Sequence, residues 1–426
     1  MPEQSTSINI IAKPRGKTLI YRRNGISRMV ASGMLQELAS SIEFQMSLLL
    51  FVALAGYILA ARINQSAVIG EILVGLVIGP SVLGWITYTD FVAGVAHLGA
   101  IILLFVVGLE FRLLDIFRPK YFVIALVGII VPWVGGYAIA NLFGFGFASA
   151  VFVGTALTAT SIAITAQVLK EMGRLNTEAS RAIIGAAVID DILGLLALSI
   201  SGTLVTGSFS AVSFSLLVLK ALAFLAVGVL AGIFIVRKLV EMMDGSRIAH
   251  RYPEFVFIFA MLSAFLYAMG AELIGLSAII GSFIAGVSLE GVKVHNSKSF
   301  HEGAEYLHII FASIFFVSLG ILADFHALTP SIIWFLLVLT LVAIATKLIG
   351  CGLAARALGM GWKDSAMIGI GMSPRGEVAM IVALIGLNGA LIGQDIYVSL
   401  VMMSLLTTVV TPMLLRPLLK ERKAVS

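Results

Sequence analysis

Long apolar runs separated by short polar loops make up the chain from about residue 45 to residue 420. The runs are about 20 residues long, the length of helix that crosses the ~30 Å hydrocarbon core of a bilayer. They do not alternate apolar and polar residues, as the strands of a membrane β-barrel do. The pattern therefore predicts an all-α polytopic membrane protein with about thirteen transmembrane helices. The predicted spans are 45–62, 66–84, 91–111, 121–142, 148–169, 180–203, 212–237, 253–269, 272–290, 304–323, 331–355, 364–388 and 395–417.

The composition excludes other classes of protein. Hydrophobic residues make up 60 % of the 426 residues, charged residues make up 12 %, and the mean hydropathy is +1.07. Such a chain could not cover its surface with polar groups in water, and a disordered chain would need few apolar residues and a high net charge. The formal charge of +5 is spread over loops. A lipid bilayer is therefore an expected partner and nucleic acid is not.

The Lys and Arg residues lie in alternate loops. The loops after odd-numbered spans and the C-terminal tail contain nineteen of them, and the loops after even-numbered spans contain none. Positive residues favour the cytoplasmic side, which predicts a multi-pass cell (inner) membrane protein with its C-terminus in the cytoplasm and its N-terminus outside.

The N-terminal segment disagrees with this orientation, because residues 1–44 contain six further Lys and Arg. Either the segment is an exception, or the biological start is later, or a span is miscounted. We interpret residues 1–44 as a basic, disordered extension, 45–420 as the transmembrane unit and 421–426 as a cytoplasmic tail.

Ionisable side chains deep in the predicted spans are candidates for function, among them Glu71, Asp190, Asp191 and Lys347. Placing such a side chain at the centre of a membrane-spanning helix costs about 2.5–3.5 kcal/mol on insertion scales, so we interpret it as functional by default. Adjacent helical residues point about 100° apart, so one aspartate can face a cavity while the other meets a neighbouring helix. Lys347 is expected to pair with a buried carboxylate, although its side chain could instead snorkel to the interface.

A proline and a glycine interrupt the predicted span 364–388. Proline removes a backbone donor, and glycine lowers the free energy needed to unwind a helix. Within a bilayer such a break is tolerated where protein or a water-filled cavity satisfies the freed groups. The residues at this break are Pro374, Arg375, Gly376 and Glu377.

The predicted span 148–169 contains a cluster of hydroxyl residues: Thr155, Thr158, Thr160, Ser161 and Thr165. These hydroxyls can satisfy freed carbonyl groups or coordinate a hard cation. The alternative is that they join helices, the interpretation we prefer for Thr155 and Thr165. With the seventh span as a linker, the two interrupted spans are the fifth helices of two inverted six-helix halves, which is the pattern of a transporter binding site.

Six segments in this order resemble the monovalent cation:proton antiporter-2 family, and within it the NapA-type bacterial Na⁺/H⁺ antiporters. The resemblance extends from about residue 45 to residue 420. The segments are "NQSAVIGEILVGLVIGPSVLG", "LGAIILLFVVGLEFRL", "GTALTATSIAITAQVL", "GAAVIDDILGL", "ATKLIG" and "GMSPRGEVAMIVA".

The resemblance implies the NhaA/NapA-like fold of thirteen helices. In that fold a dimerisation domain joins a core domain, in which two broken helices cross. The core domain moves like an elevator, and two chains form a homodimer. By the same resemblance, Asp191 is the ion-binding carboxylate and Asp190 is the partner of Lys347. Further implied roles are those of Thr160 and Ser161 beside the ion and of Arg375 and Glu377 as a charged pair supporting the second broken helix.

The expected function is secondary active exchange of Na⁺ or Li⁺ for H⁺, electrogenic and by alternating access. The alternatives are K⁺/H⁺ exchange by the same architecture and, in another class, a non-transporting membrane sensor. No H-E-x-x-H or similar motif suggests an enzyme, and no cofactor is expected. Thr158 and Glu71 are secondary candidates for the ion site.

Overall fold

The computed structural model describes residues 41–111, 118–206, 211–294, 300–322, 326 and 330–419. Most of the predicted extension 1–44 and all of the predicted tail 421–426 lie outside these residues. The chain divides into two compact units, 1–48 and 49–426. Of the first unit, the described part is Ser41 and the beginning of one helix.

The described residues form seventeen α-helices and one π-helical turn, Gly232–Val236, which joins α8 to α9. The helices are α1 (Ile42–Arg62), α2 (Ala67–Ile78), α3 (Asp90–Leu109), α4 (Pro119–Leu142), α5 (Phe147–Thr158), α6 (Ile162–Glu171), α7 (Glu178–Thr206), α8 (Ala211–Ala231), α9 (Arg237–Asp244), α10 (Arg247–Arg251), α11 (Phe255–Leu273), α12 (Ala278–Ser288), α13 (Phe300–Ile321), α14 (Pro330–Ala357), α15 (Trp362–Gly371), α16 (Glu377–Asn388) and α17 (Gln394–Leu419).

Ten helical segments of the described residues are long and apolar enough to cross a membrane. One of them, Phe147–Glu171, contains both α5 and α6. Shorter apolar helices lie within the predicted spans 66–84, 272–290 and 364–388. The prediction of an all-α polytopic membrane protein is confirmed, and the count of thirteen crossings stays a prediction.

Within residues 49–426 the helices pack in two groups. The α14 group consists of α4–α7 and α14–α17, and the α3 group consists of α2, α3 and α11–α13. Helix α8 runs beside α7, α11 and α12. Small residues allow close helix packing, as expected in membranes: a Cβ on Gly136 of α4 would lie 2.9 Å from the Cα of Gly154 on α5.

Candidate ion-binding site

Two helix interruptions meet inside the α14 group. Helix α5 ends at Thr158 and α6 begins at Ile162, while α15 ends at Gly371 and α16 begins at Glu377. Non-helical backbone is therefore present at both places where the sequence predicted it. The backbone N–H of Ser161 donates to the carbonyl oxygen of Pro374 over 2.9 Å. A backbone donor freed by one interruption is thus paired with a backbone acceptor freed by the other.

The close approach of the two interruptions depends on Gly376. A Cβ built on Gly376 would lie 2.7 Å from Ser161 Oγ and 2.8 Å from Ser161 Cβ, which is closer than Cβ atoms come to such neighbours. Glycine is therefore needed here for space as well as for an easily unwound helix.

An ion pair lies on one side of the crossing. Lys347 Nζ on α14 is 3.2 Å from Asp190 Oδ1 and 3.4 Å from Oδ2, and it donates to Thr160 Oγ1 over 2.7 Å. Lys347 and Asp190 are 0 % and 1 % exposed. A buried charge is tolerated when it is paired and hydrogen-bonded, so Lys347 is held in the interior and does not snorkel.

A small cavity of about 30 Å³ also adjoins the crossing. Asp191, Thr160, Ser161 and Ser277 bring polar atoms to its lining, and Gly376 also lines it. Asp191 Oδ2 accepts a hydrogen bond from the backbone N–H of Ser277, at the start of α12, over 3.3 Å. A volume of this size is enough for a water molecule or a small cation. The two neighbouring aspartates therefore face different surroundings.

Backbone carbonyls bind the Arg375 guanidinium, which is completely buried. Its Nη1 donates to Ala159 O over 2.8 Å and to Met372 O over 3.3 Å, and its Nη2 donates to Ala343 O over 3.1 Å. Ala159 and Met372 follow the last residues of α5 and α15. Their carbonyls belong to helix C-termini, where the macrodipole favours a cation. One side chain therefore supports both interruptions.

The remaining predicted residues lie at other distances from the cavity. Thr158 is buried and donates to the carbonyl of Thr155 in its own helix. Glu71 is 2 % exposed and lies on α2, where its backbone packs against Gly56 of α1. Neither residue is among those that line the cavity. Glu377 is the first residue of α16, and its side chain lies outside the described part of the structure.

Sequence reasoning missed Ser277 and the hydroxyls of α17. Thr407 Oγ1 accepts from the Arg375 N–H over 3.1 Å, and Thr408 Oγ1 donates to the Arg375 carbonyl over 2.9 Å. The pattern "SLLTT" of small polar residues in an apolar helix was an available signal. For Ser277, the local signal was that serine is a preferred N-cap residue, the position that Ser277 has before α12.

Among the described residues, no group of three or more His, Cys, Asp or Glu side chains is placed to hold a metal ion. The residues that line the cavity include Asp191, with its carboxylate, and the hydroxyl residues Thr160, Ser161 and Ser277. Oxygen ligands of this kind suit hard cations.

A family model described as "Sodium/hydrogen exchanger, transmembrane" matches residues 48–421. The chain belongs to this family. The resemblance to cation:proton antiporters is thereby confirmed, and the protein is a transporter rather than an enzyme.

Two bacterial relatives match over most of their length. The chain is 37 % identical to the "Na(+)/H(+)-K(+) antiporter GerN" of Bacillus cereus, covering 88 % of this chain and 95 % of the relative. It is 36 % identical to a "Na(+)/H(+) antiporter" of Enterococcus hirae, covering 88 % of this chain and 97 % of the relative.

A solved structure shares the fold. It is that of the sodium proton antiporter MjNhaP1 from Methanocaldococcus jannaschii, with a TM-score of 0.63 and 19 % identity over 88 % of this chain and 98 % of that chain. At this identity the likeness concerns the fold alone.

Proposed function

We propose that the protein exchanges Na⁺, or Li⁺, for H⁺ across a membrane and that Asp191 carries the exchanged ion. The observation that carries this proposal is the cavity at the crossing, where a carboxylate and hydroxyl oxygens surround a space of about 30 Å³. A carboxylate binds a hard cation only when it is deprotonated. Cation and proton therefore compete for Asp191, and this competition couples the two fluxes.

Proton-driven flux in proteoliposomes tests this function. Vesicles with an imposed pH gradient receive Na⁺, Li⁺ and K⁺ in turn, and the collapse of the gradient is followed. Collapse on adding Na⁺ or Li⁺ but not K⁺ is expected. Equal responses to Na⁺ and K⁺ would refute sodium selectivity, and no response to any cation would favour a membrane sensor.

K⁺/H⁺ exchange is the second candidate. The specific observation in its favour is the name of the 37 % identical relative, which includes K⁺ beside Na⁺ and H⁺. The same cavity would then hold a larger ion, and the flux measurement separates the two candidates.

The Lys347–Asp190 pair supplies a second proton in this proposal. With Asp191 protonated and the ammonium of Lys347 paired to the Asp190 carboxylate, the three side chains are neutral together, and moving a neutral site through the protein costs much less than moving a charged one. When the cation binds, Asp191 releases its proton, and Lys347 releases a second one as its bond to Asp190 breaks. On the return, Asp191 and Lys347 each take up one proton. Two protons then exchange for one Na⁺, and transport is electrogenic.

Membrane potential tests this stoichiometry. Na⁺-driven proton flux is measured in vesicles whose potential is fixed with K⁺ and valinomycin, for the native protein and for Lys347→Gln. The flux of the native protein is expected to depend on the membrane potential, and the flux of Lys347→Gln is expected to be independent of it. A native flux indifferent to the potential would leave a one-proton, electroneutral exchange in which Lys347 stays protonated.

The moving parts in this proposal are the two helix groups. The α14 group is the core ion-translocation domain, the α3 group belongs to a dimerisation domain of a homodimer, and the core moves like an elevator. Support comes from the order of helix lengths. Residues 42–206 and 255–419 contain the same sequence of long, short, long, long, interrupted and long helices, as two inverted repeats of six spans would.

Orientation and location complete the proposal. Thirteen crossings place the C-terminal tail 421–426 in the cytoplasm and the basic extension 1–44 outside the cell (inner) membrane, because the Lys and Arg residues lie in alternate loops. Fusion of a reporter that is active only in the cytoplasm tests each end. Activity at both ends, or at neither, would exclude an odd number of crossings.

A further inference from the structure

A crevice of about 750 Å³ lies between α7, α8 and the beginning of α4. Helix α7 contributes Ile189, Ile192, Leu193 and Leu196, which form an i, i+3, i+4, i+7 stripe. Asp191 is two residues from both Ile189 and Leu193, about 200° around the helix. The crevice and the ion cavity therefore lie on opposite faces of the same helix.

The lining of the crevice is apolar except at one end. Of the twelve described residues that line it, eleven are apolar and one, Arg118, is charged. Arg118 immediately precedes α4, so it lies where the chain enters the predicted membrane region. Leu222 and Ala226 of α8 are exposed within the crevice. An apolar space of this size with a cation at its end fits an amphipathic molecule with an anionic head.

Three basic side chains lie around that end. Lys120 pairs with Glu178 at the beginning of α7, and both Arg118 and Arg181 act electrostatically on the same carboxylate. All three lie on the side that the alternate loops assign to the cytoplasm. The cytoplasmic leaflet is rich in anionic lipids, which attract such residues.

The length of the crevice matches one leaflet. Its wall on α8 extends from Val218 to Val229. Eleven residue steps at 1.5 Å each give about 16 Å. This is about half of the ~30 Å hydrocarbon core. An acyl chain anchored at the Arg118 end would therefore lie along the crevice within its own leaflet.

We propose that the crevice is a binding site for an anionic phospholipid, with one acyl chain between α7 and α8 and the phosphate at Arg118. The lipid fills the space behind the helix that carries Asp190 and Asp191. Binding at this site does not depend on which cation the protein transports.

Photo-crosslinking of the purified full-length chain tests where the acyl chain lies. The probe is a phosphatidylglycerol with a diazirine in one acyl chain, and labelled peptides are identified by mass spectrometry. Labelling is expected in residues 189–196 and 218–229, with competition by unlabelled phosphatidylglycerol and little by phosphatidylcholine. Equal labelling of all lipid-facing helices, or equal competition by both lipids, would overturn the proposal.

Matched variants sharpen the test. Ala226→Phe fills the crevice and should abolish the specific labelling. Val227→Phe adds the same ring at the next position, which is exposed and does not line the crevice, and should leave it intact. If Ala226→Phe fails to fold, the competition measured on the native protein still decides the outcome. Equal labelling of both folded variants would contradict the site.

The headgroup contact has its own control. Arg118→Gln should raise the concentration of phosphatidylglycerol needed for half-maximal competition about fivefold, the factor expected for one basic residue near a membrane surface. Arg247→Gln removes an exposed arginine that does not line the crevice and should change nothing. An unchanged value for Arg118→Gln, or equal competition by inorganic phosphate, would refute an anionic lipid head at Arg118.

Discussion

Asp190 and Asp191 are neighbours in the chain, yet the structure gives them opposite surroundings. Asp190 faces α14, where the ammonium of Lys347 already neutralises it at 3.2 Å. Asp191 faces a small cavity in which its described hydrogen bond comes from a neutral backbone N–H. The ammonium group of a side chain occupies the first place, and the second has space for a free cation. Two identical side chains can thus hold different roles because a helix turns 100° between them.

The largest effect is expected for a substitution of Asp191, the aspartate that faces the cavity. Asp191→Asn keeps the volume of the side chain and removes its charge, so Na⁺-dependent proton flux in proteoliposomes should fall to the background of empty vesicles. The variant should remain folded, because the cavity still holds a polar group. The exposed residue Asp90 supplies the control, since Asp90→Asn should retain native flux. Normal transport by Asp191→Asn would remove the cavity from the mechanism.

Lys347→Gln tests the surroundings of Asp190 through the stability of the protein. The substitution leaves the Asp190 carboxylate buried without its ammonium partner. Breaking a buried ion pair in this way costs about 3–5 kcal/mol, which should appear as a lower unfolding temperature of the purified protein. The double variant Asp190→Asn with Lys347→Gln removes both charges and should recover much of that loss. A loss in the double variant equal to the sum of the losses in the two single variants would show that the pair is not energetically coupled.

Gly376→Ala tests the contact that joins the two interruptions. The added Cβ would meet Ser161 at less than 3 Å, so backbone or side chain must shift. Overpacking of this kind costs about 1–3 kcal/mol, and the displaced Ser161 should also lower the apparent affinity for Na⁺. Adding Ser161→Gly removes the clashing atoms and should restore stability. Failure of the second substitution to rescue the first would mean that Gly376 is required for another reason.

The sequence predicts the helices and both interruptions because these depend on local features: apolar runs, a proline, a glycine and clustered hydroxyls. It also predicts that the adjacent aspartates have different partners. Periodicity alone does not say which aspartate meets Lys347, because that depends on where α14 lies. The family resemblance supplied that assignment, and the geometry of Asp190 agrees with it.

Contacts between distant segments account for what was missed. Ser277 reaches Asp191 across 86 residues of chain, through the packing of α12 beside the α14 group. Arg375 was expected to act with Glu377, two residues away. The described contacts of its guanidinium are carbonyls up to 216 residues away. Hydrogen bonds to carbonyls freed by broken helices leave no pattern in the sequence, because any residue can supply a carbonyl.

Thr165→Val has the smallest expected effect and separates hydroxyls that join helices from hydroxyls that line the cavity. Thr165 Oγ1 donates to Gly371 O over 2.6 Å, which joins α6 to the end of α15, and Thr165 does not line the cavity. Valine has nearly the same shape, so the loss is one buried hydrogen bond, about 1 kcal/mol.

The unfolding temperature of Thr165→Val should therefore fall slightly, and its half-saturating Na⁺ concentration should stay at the native value. Thr160→Val is the matched comparison, because Thr160 lines the cavity and accepts from Lys347. That variant should raise the half-saturating concentration. The contrary result is an equal rise in the half-saturating Na⁺ concentration for both variants. Lining the cavity would then not separate the hydroxyls that bind the ion from those that hold the helices together.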